Sequence, residues 1–159
     1  MIKVGDRLPS AKFKVMTGEG PAEKTTDDIF KGKKVVLFAV PGAFTPTCSR
    51  NHLPGFVNNA PAIKAKGVDT IAVTGVNDVF VMNAWKKSAG ADAIEFLADG
   101  SANWAKAMGL TADLTERGLG VRSQRYAMVV QDGVVKTLNV EDAPGKAEAS
   151  GADNLMKSL

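Results

Sequence analysis

The sequence contains one cysteine, Cys48, and one histidine, His52, four residues apart. A cysteine thiolate is a strong nucleophile, and an imidazole within reach could serve as its base. The residues leading to it run Val40, Pro41, Gly42, Ala43, Phe44, Thr45, Pro46, Thr47. Threonine is a favoured helix cap and proline suits the first helical position, so Thr45 and Pro46 predict a helix start with Cys48 third in line. A thiol in that turn faces unpaired N–H groups and the positive end of the macrodipole, which favours thiolate. Two readings of the residues stay open. A lone cysteine is ordinarily a small buried hydrophobe; the polar neighbours, the helix start and nearby Arg50 describe instead an electropositive, partly exposed reactive thiol. Thr45 is either a cap accepting from the Cys48 backbone N–H or a hydroxyl beside the sulfur, and the roles overlap. His52 lies on the same helical face as Cys48, so a nucleophile–base pair is conceivable. A structural role competes with it, since His52 stands just before Pro54 and Gly55, a predicted helix kink or stop.

The elements that must position these residues follow from periodicity. Residues 35–40 are apolar throughout, as a central strand covered on both faces requires. Before them, residues 1–25 predict an irregular entry with one or two short strands: residues 12–15 alternate in polarity and Gly18, Gly20 and Pro21 then break the pattern, and Thr26 caps a short turn of helix ended at Gly32. After the Cys48 helix, Pro61 predicts a new helix start and residues 68–76 a second buried strand. Asn77 or Asp78 caps a helix running to Ser88, with Val79, Met82 and Trp85 on one face and Gly90 as its stop. Residues 94–97 form a third strand, and Ser101 caps a short helix holding Trp104 and Met108, ended by Gly109. Residues 110–123 carry little pattern. Residues 125–131 and 134–140 flank Asp132-Gly133, a strong hairpin signal. Residues 144–151 read as a loop and 152–159 as a terminal helix. The order β-α-β-α-β-α-ββ-α predicts an α/β thioredoxin-like fold with insertions, a central mixed sheet flanked by helices.

The totals narrow the class. A chain of 159 residues fits one domain spanning residues 1–159, with 45% hydrophobic and 23% charged residues, as in a soluble globular protein. Net charge is +3, but the lysines are scattered, so no nucleic-acid stripe is indicated. No apolar run approaches a membrane span, and the N-terminus lacks a signal peptide's apolar core. One cysteine forms no internal disulfide, which points to a reducing compartment, the cytoplasm. One cysteine and one histidine fall short of a metal site.

At the Cys48 stretch the sequence resembles the peroxiredoxins. Pro41-x-x-x-Thr45-x-x-Cys48 matches their active-site pattern, and the continuation through His52-Leu53-Pro54-Gly55-Phe56 resembles the type-II, peroxiredoxin-5-like class. The likeness extends to residues 76–85, 96–100 and 122–128 and so covers nearly the whole chain. It implies a thiol peroxidase without metal or prosthetic group, acting on hydrogen peroxide and organic hydroperoxides through a sulfenic acid. By the same resemblance Cys48 is the peroxidatic cysteine, Thr45 the hydroxyl at the peroxide, Pro41 the shield of the pocket and Arg125 a distant arginine that completes it. The residues alone give no reason to prefer Arg125 to Arg50 or Arg122. Several relatives carry a second, resolving cysteine, but the corresponding regions read Ala149-Ser150-Gly151 and Ala72-Val73-Thr74. Resolution then falls to an external thiol: glutathione with or without glutaredoxin, or thioredoxin. Relatives also often have proline where this chain has Val79. The resemblance further implies a homodimer.

Thiolate formation alone cannot make such a site fast. Lowering a thiol pKa from about 8.5 to about 6 raises the thiolate fraction at neutral pH by roughly 30-fold, at most about 2 kcal/mol of barrier. Donors aimed at the oxygens as the O–O bond breaks must supply the rest, and Thr45, Arg125 and the Cys48 N–H are the candidates. Two other functions compete: a Cys48–His52 thiol hydrolase or transferase, and a non-enzymatic redox sensor or holdase signalling through oxidised Cys48.

Overall fold

The structure, a computed structural model, describes residues 1–143 and 145–159. Its frame is a seven-stranded sheet in the order β2-β1-β5-β4-β3-β8-β9. The elements are β1 (Lys12–Thr17), β2 (Gly20–Thr25), α1 (Thr26–Phe30), β3 (Lys34–Val40), a π-helical turn (Cys48–His52), α2 (Leu53–Ala65), β4 (Thr70–Gly75), α3 (Val79–Ala89), β5 (Glu95–Ala98), α4 (Asn103–Met108), β6 (Thr111–Leu114), β7 (Gly120–Ser123), β8 (Tyr126–Gln131), β9 (Val134–Val140) and α5 (Ala152–Met156). Strands β3, β4 and β5 are parallel, while β8 pairs antiparallel with β3 and β1 with β5.

β3 shows why its sequence is uniformly apolar. Val36, Phe38 and Val40 face a core layer with Phe56 and Ile63 of α2, Met82 and Trp85 of α3 and Leu155 of α5. Val35, Leu37 and Ala39 face a second layer with Ile29 and Phe30 of α1 and Trp104 and Met108 of α4. Side chains alternate along a strand, so a strand roofed on both sides has no polar face. The result is the thioredoxin-like fold, a mixed sheet between helices.

The hairpin at Asp132-Gly133 forms with both residues at positive φ, 48° and 77°, as a tight two-residue turn requires. Asp78 caps α3 by accepting from the Val81 N–H at 2.8 Å, and Gly90 ends it in the left-handed region.

Several boundaries differ from the sequence reading. Thr25, not Thr26, caps α1, because only Thr25 forms the reciprocal box with Asp28; the Thr26 hydroxyl bonds the Pro9 and Ala11 carbonyls. The entry holds two strands, β1 ending before the break and β2 opening at Gly20 and Pro21, and β2 tolerates proline because it is an edge strand. Pro61 lies inside α2, on its exposed side, where the amide bond it forgoes leaves a carbonyl that can turn to water. Ser101 does not cap α4. The Asp99 carboxylate does, taking the Trp104 and Ala105 N–H groups at 3.0 Å each while Ala102 adopts φ 60°. Residues 111–123 contain a two-stranded sheet, β6 with β7. Of the loop expected at 144–151, residues 145–151 carry turns between β9 and α5, and Pro144 lies outside the described residues.

Candidate active site

β3 ends at Val40, and Pro41 and Gly42, both buried, follow it directly. The loop is tied to the end of β4 by the Ala43 N–H, which donates to Asn77 Oδ1 at 2.8 Å. Phe44 holds a positive φ of 63° and leaves its ring half exposed. Helical backbone then begins at residue 46, so Thr45 occupies the cap position, but its hydroxyl does not cap. It lies 2.8 Å from the Gly42 carbonyl and 2.8 Å from Cys48 Sγ. A single O–H donates to one of these at a time, so the hydroxyl can turn to the sulfur when the sulfur is an acceptor.

The first turn is wider than an α-helix. The Leu53 N–H reaches back to the Cys48 carbonyl, an i→i−5 bond. With more residues per turn, Cys48 and His52 come close to eclipsed and point the same way. Pro54 follows at once, in the first turn of α2, and the helix runs on through Pro54 and Gly55 without stopping. A proline lacks the N–H that would continue the ladder, and the π-turn sits where that bond is missing.

Arg125 is the residue sequence reasoning could not select. It precedes β8, whose register pairs Tyr126 with Ala39, so Arg125 falls beside the C-terminal end of β3. Its Nη2 donates to Cys48 Sγ at 3.0 Å, and its Nη1 donates to His52 Nδ1 at 3.0 Å. Arginine has no acceptor, so His52 Nδ1 is the unprotonated nitrogen. The proton therefore sits on Nε2, which donates to the Ser150 carbonyl at 2.9 Å. Burial, with Arg125 adding to it, pushes the His52 pKa down to about 3. The ring is packed against Phe38 and Phe56, at 4.9 and 5.6 Å between centroids. His52 is thus neutral with both nitrogens engaged, and it holds Arg125 rather than taking a proton from Cys48.

Cys48 is not partly exposed; it is completely buried, as are His52 and Arg125 to within 2%. Arg50 is exposed and plays no part in these contacts. Arg122 bonds the Leu119 and Val76 carbonyls at 2.8 and 3.1 Å, which fixes the loop before β7 against the end of β4. Ser49 accepts from Trp85 Nε1 at 3.1 Å, tying the π-turn to α3. Cys48, Thr45 and Arg125 therefore meet around one sulfur, with Pro41 at the adjacent strand end. Chemically, the set offers a nucleophile with a hydroxyl and a guanidinium as hydrogen-bond donors, in a site from which bulk water is excluded.

The model of the Redoxin family matches residues 3–156. The chain is 47% identical over 160 residues to Peroxiredoxin-2C of Oryza sativa subsp. japonica, covering 99% of this chain and 98% of that protein. It belongs to the peroxiredoxins. Within that family its relatives are of the type-II kind. The reduced Prx3 of Vibrio vulnificus in complex with H2O2 superposes with a TM-score of 0.95 at 52% identity, covering 99% of each chain. A 1-Cys peroxiredoxin, the Plasmodium falciparum antioxidant protein, gives 0.90 at 26% identity, covering 98% of this chain and 97% of that one. As a peroxiredoxin this chain is an oxidoreductase, and among its described residues no helix is long and apolar enough to cross a membrane.

Proposed function

We propose that this peroxiredoxin is a one-cysteine thiol peroxidase, a single domain over residues 1–159. It reduces hydrogen peroxide and alkyl hydroperoxides at Cys48. The observation that carries the reading is the convergence of the Thr45 hydroxyl and the Arg125 guanidinium on one buried sulfur, at 2.8 and 3.0 Å. The Cys48 thiolate attacks the nearer oxygen of the peroxide as the O–O bond breaks. Sulfur loses two electrons and becomes Cys–SOH, and the departing oxygen takes a proton and leaves as water or an alcohol. Negative charge grows on that oxygen in the transition state, and the donors that first held the sulfur are placed to receive it. Pro41, buried beside them, keeps water from the thiolate. The H2O2 complex of the Vibrio vulnificus relative supports peroxide as the substrate.

With no second cysteine in the chain, the sulfenic acid passes to an external thiol. One glutathione displaces water to give a mixed disulfide, and a second thiol, of glutathione or glutaredoxin, releases the Cys48 thiolate. Thioredoxin is the other candidate donor. The reducing cytoplasm is the compartment that fits a lone thiol. Three exposed apolar side chains, Phe44, Phe80 and Val121, are 51%, 64% and 47% exposed, and the Ala43–Asn77 and Arg122–Val76 bonds hold their segments around the end of β4. This face is proposed as the homodimer contact.

The test is peroxide consumption with glutathione, glutaredoxin or thioredoxin supplied in turn, and Cys48→Ser as control. Rapid turnover with glutathione or glutaredoxin and none in Cys48→Ser is the expected result. Consumption that survives in Cys48→Ser overturns the proposal.

A further inference from the structure

The contacts of Arg125 do not end at His52. The Ser150 carbonyl that accepts the His52 Nε2–H belongs to a residue with no exposed surface, although it lies in the segment joining β9 to α5. Ser150 is fixed in turn by Glu141. One carboxylate oxygen, Oε2, accepts both the Ser150 backbone N–H and the Ser150 hydroxyl, each at 2.6 Å. Glu141 is itself 8% exposed, and its own N–H donates to the Arg125 carbonyl at 2.9 Å. The β8–β9 register explains that closeness, since Tyr126 opposite Val140 sets Glu141 next to Arg125. A continuous path of hydrogen bonds therefore runs from Cys48 Sγ through Arg125, His52 and Ser150 to Glu141.

A buried carboxylate is costly unless its donors are fixed. Here the backbone is shaped to provide them. Gly151 follows Ser150, and a side chain there would stand 2.8 Å from the Ala147 carbonyl oxygen, so the turn that presents Ser150 closes only around glycine. The conformation makes the Ser150 N–H and hydroxyl converge on one oxygen while its carbonyl faces the imidazole.

We infer that Glu141 and Ser150 are positioning residues of the peroxidatic site: they clamp the Ser150 carbonyl, which fixes the plane of His52 and thereby aims Arg125 at Cys48. The pattern is that of outer partners orienting a ligating histidine, with arginine in place of a metal. The low pKa of His52 suits this role, because a protonated ring would repel the guanidinium.

The inference rests on the proposed role of Arg125, and the experiment separates the two. His52 is the only histidine, so 15N-labelled histidine gives one imidazole to observe by NMR. The full chain is compared with Glu141→Leu, Ser150→Ala, Arg125→Met and the double variant Glu141→Leu/Arg125→Met. In the parent the ring stays the Nε2–H tautomer from pH 8 to pH 5. Glu141→Leu is expected to shift the Nε2–H signal, as its hydrogen bond to the Ser150 carbonyl is loosened, and to slow hydrogen peroxide reduction about 10-fold, as a small misplacement of a donor does. Ser150→Ala, which keeps the backbone N–H, moves the same signals less. Because Glu141 acts through Arg125, adding Glu141→Leu to Arg125→Met costs nothing further. An unchanged Nε2–H signal and rate in Glu141→Leu, or full additivity in the double variant, overturns the inference while leaving Arg125 in place. Should Glu141→Leu not fold, an unchanged His52 signal in Ser150→Ala overturns it equally. A parent-like rate in Arg125→Met overturns both readings.

Discussion

Two donors meet the Cys48 sulfur, and they differ in reach. The Thr45 hydroxyl belongs to the same turn of chain and shares its hydrogen with the Gly42 carbonyl, whereas Arg125 comes from 77 residues away and is held by His52. Arg125→Met keeps the bulk of the side chain but removes its donors. The expected outcome is a loss of peroxide reduction of about 10²- to 10³-fold, the scale of a lost oxyanion donor. Alkylation of Cys48 by iodoacetamide, which depends on the thiolate and develops no charge on oxygen, is expected to fall far less. Equal losses in both assays would remove Arg125 from the transition state. His52 makes a different prediction. Its pKa is about 3 in the fold against an ordinary 6.5. Between those values the unfolded chain binds a proton that the folded chain does not, so stability is fully present above pH 6.5 and falls as the pH drops toward 3. The loss from this group is about 2 kcal/mol at pH 5. Urea unfolding at pH 7 and pH 5 should show this extra acid sensitivity in the parent and not in His52→Gln.

Three strand ends and one irregular turn assemble the site. The C-terminal end of β3 carries the Cys48 turn, the N-terminal end of β8 carries Arg125, and the C-terminal end of β9 carries Glu141. Between Cys48 and His52 the π-turn aligns thiol and imidazole, which an ordinary α-turn at the same spacing would set further apart around the helix. Away from the site, two elements make testable claims about stability. Asp99 caps α4 with both carboxylate oxygens although Ala102 sits at positive φ. Asp99→Ala is expected to cost about 1–2 kcal/mol of unfolding free energy, measured in urea. Thr74, in β4, buries a hydroxyl that finds no hydrogen-bond partner among the described residues. Thr74→Val replaces it with a methyl group of similar shape and is expected to raise stability by about 1 kcal/mol. A drop on that substitution would mean that the hydroxyl is satisfied in solution.

At the scale of the molecule, burial of Cys48 separates the two halves of the proposed cycle. A sulfur with no exposed surface is closed to peroxide and thiol alike, but a small peroxide needs only a slight parting of the residues over it, whereas a bulky thiol needs far more room. Reduction therefore requires the Cys48 turn to open. The face proposed for the homodimer includes Phe44 of the same loop, so pairing there would also brace the closed site. Phe80→Glu places a charge in that face at a residue 64% exposed in the single chain. Sedimentation velocity is expected to show a dimer for the parent and a monomer for Phe80→Glu. A parent that sediments as a monomer at all concentrations would exclude this face as a stable contact.

The residues near Cys48 were readable because their information is local. A cap, a proline and a thiol within four positions specify a helix start by sequence spacing alone, and Asp132-Gly133 specifies its hairpin for the same reason. The uniformly apolar β3 likewise announces a strand roofed on both faces. Strands β6 and β7 gave no such signal, because unlike the equally short but apolar β5 they are mostly polar and part-exposed, and Pro61 misled as a helix start because surrounding helix outweighed the loss of one bond. Resemblance, not spacing, pointed to Arg125. Its place opposite the end of β3 is set by antiparallel pairing between strands some 90 residues apart, and no local pattern encodes that register. The same holds for Glu141 and Ser150, which carry no motif. By itself the sequence marked Cys48 as the candidate nucleophile and placed it at a helix start after β3. Tertiary structure decided which cation reaches the sulfur and what holds it there, because those contacts depend on strand register and burial rather than on neighbours along the chain.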